Sequence, residues 1–239
     1  MPTALSWPDC RNVRDVGGLP TADGGRIRDG ALIRADSLDR LTAEGLALFK
    51  AAGVRRIVDL RNVEEAAGHP FAAELDLYRL VPLIDPARER DRNKSAERTL
   101  ADIYRSSLTR NAKSIVEGVA AVADAPDGPV LVHCAVGKDR TGMIVALVLS
   151  VAGVPDEVIA ADYEQSGACL REEFEAWLTG VTEETELRRV TERMSCRPET
   201  MLSMLEHTRA EFGGVEGYLL AHGLTSPQVD RLKERLIDG

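Results

Sequence analysis

The sequence predicts an α/β fold: a central, mostly parallel sheet flanked by helices, with additional helices near the site described below. Short apolar runs bounded by turn residues occupy residues 54–60, 75–83 and 129–132, a pattern typical of buried strands. Stretches of helical spacing alternate with these runs, and everything after the third run is helical in pattern.

Local sequence signals predict the strands, turns and helices in chain order. Residues 1–20 are irregular, residues 23–25 form a turn, and residues 26–34 are a weakly alternating strand. Thr42 is the expected N-cap of a helix that ends before Gly53. A short helix is expected at residues 62–67.

Arg14 and Asp15 lie beside a Gly-Gly turn and are expected to form a buried ion pair, with direct substrate contact as the alternative. The segment 87–98 is densely charged, which indicates a solvated face or, as the functional alternative, a mobile lid.

Helices are expected at 99–110, 112–123, 155–163, 198–212, 215–221 and 226–236, with further helical turns between 168 and 194. No repeat or linker divides the chain, so residues 1–239 are expected to form one domain, in which 164–212 is a possible helical cap.

The composition limits the classes of function and the cellular location that are expected. The 239 residues carry a net charge of −9, which argues against non-specific nucleic-acid binding. The beginning of the chain lacks a signal-peptide pattern, and the longest apolar run, 143–154, is too short to span a bilayer. Four scattered cysteines suit a reducing compartment, so a cytoplasmic location is expected, with leaderless export left open.

The segment 129–142 contains the candidate catalytic and phosphate-binding residues. Cys134 ends an apolar strand, and Arg140 follows six residues later at the start of an apolar helix. A loop that reverses between them points backbone N–H groups of Ala135, Val136 and Gly137 inward, where they can hold a phosphate. Arg140 adds a planar pair of donors for two phosphate oxygens.

The same field favours the thiolate of Cys134, which is the attacking form of a cysteine nucleophile. Thr141 can donate to the sulfur when it leaves. This chemistry requires no metal or other cofactor. A nucleotide-binding phosphate loop is excluded, because Val132 stands where its first glycine is required and Asp139 where its Ser/Thr is required. No Cys-x-x-Cys pair indicates a metal site.

The segment HCAVGKDRTG (residues 133–142) resembles the signature of the tyrosine-phosphatase superfamily, and in particular a bacterial protein-tyrosine and lipid phosphatase-like family. Four further segments support the resemblance: NVRDVGG (12–18), RADSL (34–38), DLR (59–61) and GGVEGYLLAHGLT (213–225). The resemblance implies a tyrosine-phosphatase-like fold and hydrolysis of phosphotyrosine through a phosphocysteine, with phosphoserine/threonine and phosphoinositides as further substrates.

Its expected partners are therefore phosphorylated proteins or phospholipid headgroups. A non-catalytic phosphate-binding or phosphoinositide-binding module on the same loop is the alternative, against which the intact Cys134, Arg140 and Thr141 argue. A sulfur transferase or arsenate reductase is a further class, but no resolving cysteine is firmly placed beside Cys134.

Several roles stay open at this stage. The general acid is Asp139 within the loop, Asp85 after the strand at 75–83, or neither; the alternative for Asp85 is a turn residue before proline. Lys138 binds a second phosphate, or it points to solvent or neutralises Asp139. His133 is expected to act as a hydrogen-bond partner behind the loop rather than as a base, because its side chain points away from the nucleophile.

Overall fold

The computed structural model describes residues 2–90, 92–93 and 95–238. Its strands are β1 (Thr3–Ala4), β2 (Arg14–Asp15), β3 (Leu32–Ala35), β4 (Arg56–Asp59), β5 (Tyr78–Leu80) and β6 (Val130–His133). They form one six-stranded sheet in the order β1-β2-β3-β6-β4-β5.

The strands β3, β6, β4 and β5 run parallel, and β2 and β1 extend the sheet antiparallel at one edge. Ala35 and Asp59 both lie opposite His133, so three parallel strands end at the same level. Ligands of open α/β sheets bind at this carboxyl edge. The predicted fold class is therefore confirmed.

Helices surround the sheet. In the described residues they are α1 (Ala43–Ala51), α2 (Pro86–Glu89), α3 (Leu100–Arg110), α4 (Ala112–Ala123), α5 (Asp139–Val151), α6 (Asp156–Cys169), α7 (Arg171–Leu178), α8 (Glu184–Met194), α9 (Pro198–Phe212), α10 (Val215–Ala221) and α11 (Ser226–Leu236). Thr42 caps α1 by accepting from the Gly45 N–H, and Pro198 occupies the first turn of α9. These helix starts agree with the local signals.

The sheet separates two apolar layers, because successive strand side chains point to opposite faces. Val58 and Val132 belong to the larger layer, whereas Ile57 and Leu131 belong to the smaller one. Almost every side chain of α5 after its first two residues is buried in the larger layer. The loop that precedes α5 is thus held between a central strand and a central helix.

Arg14 and Asp15 do not pair with each other, because adjacent residues of a strand face opposite sides. Arg14 Nε donates to Asp162 Oδ1 at 2.7 Å, while Asp15 accepts from two glycine N–H groups. Arg14 is nevertheless buried in an ion pair, so its role is structural, as expected, but its partner lies on α6.

The segment 164–212 contains two kinds of helix. In α9, Met201, Met204 and Leu205 are buried in the core. In α7 and α8 no described side chain is fully buried, and Trp177 is more than half exposed.

The charged segment 87–98 begins within α2, and its residues Asp91 and Lys94 lie outside the described residues. A search of the described helices found none that is long and apolar enough to cross a membrane.

Candidate active site

The loop between β6 and α5 has its middle carbonyl groups bonded from outside. These contacts join Ala135 O to the Ser37 N–H (3.0 Å), Val136 O to Asn12 Nδ2 (2.9 Å) and Gly137 O to Arg34 Nη2 (2.8 Å). In a trans peptide the next N–H points opposite to the carbonyl, and no cis peptide occurs among the described residues. Three consecutive N–H groups, those of residues 136–138, therefore point to the inside of the loop, as an anion nest requires.

Gly137 lets the loop approach β3 closely. Its φ is +68°, a conformation that side-chain-bearing residues rarely adopt. A Cβ at this position would lie 2.5 Å from the Ala35 carbonyl oxygen and 2.7 Å from the Asp36 nitrogen. Only glycine allows the RADSL segment to support the loop this closely from behind.

Cys134 opens the loop and is only 2% exposed. Thr141, in the first turn of α5, is fully buried, and its hydroxyl has no hydrogen-bond partner in the part of the chain that is described. An unsatisfied buried hydroxyl is costly, so a ligand or charged group that accepts from it is favoured. The hydrogen bond from Thr141 to the Cys134 sulfur stays a prediction.

Arg140 is held by Glu65, which follows β4. Arg140 Nη1 lies 2.5 Å from Glu65 Oε2, and Nη2 lies 2.8 Å from Oε1. The hydrogen bond from Arg140 keeps the pKa of Glu65 below its ordinary value. This end-on pair leaves the Nε–H and one hydrogen on each terminal nitrogen, so the guanidinium can still bind phosphate through another edge.

Residues 62–67 form turns and not the predicted short helix. Glu65 Oε2 also accepts from the Asn62 N–H at 2.9 Å. The carboxylate is therefore used to fix a turn and to orient Arg140.

Replacing Glu65 with alanine is expected to raise KM and to weaken inhibition by inorganic phosphate by about ten-fold, because the guanidinium loses its fixed orientation. Steady-state kinetics with phosphate as inhibitor measure both effects. Glu64→Ala, a neighbouring exposed position, is the matched control. Equal phosphate inhibition of the two variants would contradict the role of Glu65.

Asp139 begins α5 and is fixed through one carboxylate oxygen. Oδ1 accepts from the Tyr104 hydroxyl at 2.6 Å and lies 2.8 Å from Lys138 Nζ. No hydrogen bond reaches Oδ2 from the described residues. Asp139 and Arg140 line the same cavity of about 300 Å³, which also includes Ile84.

Asp85 occupies a different position. It caps the short helix α2, with Oδ1 accepting from the Ala87 N–H at 2.9 Å and Oδ2 3.5 Å from Arg88. Its side chain does not line the cavity that contains Asp139. These contacts favour the turn interpretation of Asp85.

Lys138 is buried and faces protein groups. Its ammonium lies beside Asp139 and donates to the carbonyls of Arg193 (2.9 Å) and Ser195 (3.2 Å) at the end of α8. An ammonium has three donors, and all have an acceptor here. This arrangement favours neutralisation of Asp139 over binding of a second phosphate.

His133 lies behind the loop near Asp59 and His69. Its Nδ1 is 3.2 Å from the Cys134 carbonyl oxygen, and its Nε2 is 3.6 Å from Asp59 Oδ2. Burial lowers the pKa of His133 and lowers that of His69 to about 4. Both rings are therefore neutral at pH 7, which fits a hydrogen-bonding role for His133.

Asp59, His69 and His133 bring three ligand-type atoms within 4.8 Å of one another, so a metal site needs testing. Asp59 Oδ2 already accepts from Arg61 Nη2 (2.9 Å) and the Tyr78 hydroxyl (2.8 Å). The guanidinium would repel a cation. His69 Nδ1 accepts from a backbone N–H two residues on, so its Nε2 carries the hydrogen. This donor set does not fit a metal ion.

A buried charge network supports the loop from the other side. Arg14 Nε and Arg34 Nη1 share one carboxylate, that of Asp162, at 2.7 and 2.5 Å. Burial alone would raise the pKa of Asp162, but Arg34 and Arg14 hold it below its ordinary value. Arg14 also donates to Asn12 Oδ1 at 2.6 Å. Two cations against one anion leave a positive charge next to the loop, which favours a bound anion.

Four residues that contact the loop between β6 and α5, or the first residues of α5, were not predicted from the sequence. Asn12 and Arg34 lie within the motifs at residues 12–18 and 34–38, so the motifs were a usable signal for contact with the loop. Glu65 and Tyr104 carry no such signal, because each reaches the loop from a distant part of the chain.

A cysteine and an arginine on an anion-binding loop, at the carboxyl edge of a mostly parallel sheet, define a cysteine-dependent phosphatase. The sequence model of the tyrosine phosphatase family matches residues 5–238, and the chain belongs to that family. The predicted enzyme class, a protein-tyrosine phosphatase, is confirmed.

Two relatives cover most of the chain. The triple specificity protein phosphatase PtpB of Mycobacterium tuberculosis is 27% identical, over 96% of this chain and 98% of its own length. A tyrosine-protein phosphatase of Nostoc commune is 29% identical, over 86% of this chain and 74% of its own length.

Proposed function

We propose that Cys134 attacks the phosphorus of a phosphomonoester in line with the leaving oxygen. A sulfur–phosphorus bond forms as the phosphorus–oxygen bond breaks, and Asp139 gives its proton to the departing alcohol or phenol. Water then attacks the phosphocysteine and passes a proton back to Asp139, which releases phosphate and the thiolate.

One observation carries this proposal: the loop carbonyls are occupied from outside, so its N–H groups face inward. Preformed donors of this kind stabilise the charge that grows on the equatorial phosphate oxygens. The backbone of residues 135–140 and the side chain of Arg140 hold those oxygens, while Thr141 stabilises the sulfur as it leaves.

The proposed substrates are phosphotyrosine residues, with phosphoserine/threonine and phosphoinositides as further substrates. The cavity beside Asp139 supports phosphotyrosine, since its lining includes apolar side chains such as Ile84 and Met143, which suit an aromatic ring. Arg92 and Arg110 also line it, but both are paired with Glu97. The relative with triple specificity in its printed name supports the range of proposed substrates.

We also propose one phosphatase domain over residues 1–239, with the cap of 164–212 confined to α7 and α8. The free thiols of the described cysteines suit a reducing compartment such as the cytoplasm.

The acid assignment is tested with Asp139→Asn and Asp85→Asn on two esters, in the presence of EDTA. Phenyl phosphate has a poor leaving group and needs the proton, whereas p-nitrophenyl phosphate needs it little. In kcat/KM, which reports transfer of the phosphoryl group to Cys134, Asp139→Asn is expected to lose about 100-fold or more on phenyl phosphate and far less on p-nitrophenyl phosphate. Asp85→Asn serves as the matched carboxylate control.

If Asp85→Asn shows the larger leaving-group-dependent loss, the assignment is reversed. If the wild-type protein binds phosphate but turns over neither ester, the non-catalytic binding module replaces the enzyme.

A further inference from the structure

We infer that Tyr104 is a positioning residue for proton transfer: its hydroxyl fixes the Asp139 carboxylate so that Oδ2 carries the transferred proton. This inference rests on the proposed role of Asp139 as the general acid. Tyr104 lies on α3, outside the loop and outside every segment that resembles the family signature.

The contact is short, and its donor is buried. The Tyr104 hydroxyl lies 2.6 Å from Asp139 Oδ1, and the Tyr104 residue is 2% exposed. Burial, with Asp139 as the second cause, raises the pKa of Tyr104 well above its ordinary value. The phenol therefore keeps its proton and remains a donor throughout the pH range in which the enzyme works.

The direction of the hydrogen bonds follows from the groups present. A carboxylate oxygen only accepts, so Tyr104 directs its single proton to Asp139 Oδ1. The Tyr163 hydroxyl, 3.1 Å from the Tyr104 hydroxyl, then donates to the Tyr104 oxygen. Two aligned hydroxyls polarise each other and strengthen the final bond to Asp139.

This arrangement distinguishes the two carboxylate oxygens. The Tyr104 hydroxyl and the Lys138 ammonium both approach Oδ1, so a proton placed there would meet two donors. A proton on Oδ2 meets none from the described residues. A general acid must hold its proton within hydrogen-bond reach of the leaving oxygen, and fixing Oδ1 fixes where Oδ2 points.

The packing keeps the two tyrosines in place. A Cβ on Gly142 would lie 3.0 Å from the Tyr163 ring, so the glycine lets α6 approach the first turn of α5. The rings of Tyr104 and Tyr163 meet edge to face, with centroids 6.1 Å apart. Helices α3 and α6 thus hold the hydroxyl chain against Asp139 before substrate binds.

The test is Tyr104→Phe, measured on phenyl phosphate and p-nitrophenyl phosphate. We expect kcat/KM on phenyl phosphate to fall by about ten-fold and kcat/KM on p-nitrophenyl phosphate by less than about two-fold. Inhibition by inorganic phosphate should be unchanged, because the loop itself is intact. Tyr163→Phe removes a buried hydroxyl that does not touch Asp139, and its effect on phenyl phosphate should be clearly smaller.

The double variant Tyr104→Phe/Asp139→Asn separates this inference from the acid assignment. If Tyr104 acts through Asp139, the double variant loses no more than Asp139→Asn alone. Multiplying losses, or equal losses on both esters, would overturn the role of Tyr104 while leaving Asp139 as the acid. If Asp139→Asn itself shows no leaving-group dependence, both the acid assignment and this inference are wrong.

Discussion

Replacing Cys134 with serine is expected to lower kcat on p-nitrophenyl phosphate by at least about 10⁴-fold. An alcohol is far less acidic than a thiol, so the serine hydroxyl stays protonated and is a much weaker nucleophile in the same position. The loop N–H groups and Arg140 remain in place, so inorganic phosphate should still bind. Steady-state kinetics and phosphate titration by calorimetry measure the two effects separately.

Cys169→Ser is the matched control, because this cysteine is exposed on α6. It should retain wild-type turnover. Turnover by Cys134→Ser within about 100-fold of the wild-type rate would rule out a covalent mechanism through this sulfur.

Replacing Asp162 with asparagine is expected to lower the free energy of unfolding by about 3–5 kcal/mol, the usual cost of leaving buried charges without their partner. Arg14 and Arg34 both depend on this carboxylate and are almost completely buried. Denaturant unfolding measures the loss. Phosphate binding should weaken as well, since Arg34 holds the Gly137 carbonyl.

Asp156→Asn is the control on the same helix, because Asp156 pairs with a single, exposed arginine, Arg209, and is itself only partly buried. It should cost less than about 1 kcal/mol. Equal destabilisation by the two substitutions would show that the buried network contributes little to folding.

The pH dependence of Asp162→Asn supplies a second check. The folded-state pKa of Asp162 lies below its ordinary value of 3.8, so its stabilisation is complete above that pH and is lost as the pH falls below it. The difference in unfolding free energy between wild type and Asp162→Asn should therefore shrink on acidification below about pH 4. A difference that stays constant down to pH 2 would contradict the assignment.

The proposed catalytic loop was predictable because its reactive residues lie close together in the sequence. Cys134, Gly137, Arg140 and Thr141 lie within eight positions, between a strand and a helix of strong local pattern. The helices with clear caps were predictable for the same reason, as Thr42 shows at α1. Local signals suffice when the deciding contacts are local.

The support of the loop was not predictable, because it depends on contacts between distant segments. Asn12 reaches Val136 across 124 positions, and Glu65 reaches Arg140 across 75. The sequence pattern at residues 62–67 predicts a helix, whereas the structure has turns there, with Glu65 bonded to Asn62 and Arg140.

Lys138 is a residue whose alternative roles the sequence alone does not distinguish. Its sequence context allows a second phosphate site or a salt bridge with Asp139 equally well. The backbone carbonyl of Arg193, at the end of α8 and 55 positions away in the sequence, accepts from its ammonium. No local pattern encodes this contact.

The central claim is that the phosphoryl group is transferred to Cys134 during turnover. Trapping this phosphocysteine intermediate tests the claim most directly. Wild type and Cys134→Ser are mixed with p-nitrophenyl phosphate, quenched rapidly in acid and digested for mass spectrometry. We predict one phosphoryl group on the peptide containing Cys134 in the wild type, and none in Cys134→Ser. A phosphoryl group on another residue, or wild-type turnover with no phosphorylated Cys134 at any quench time, would contradict the mechanism.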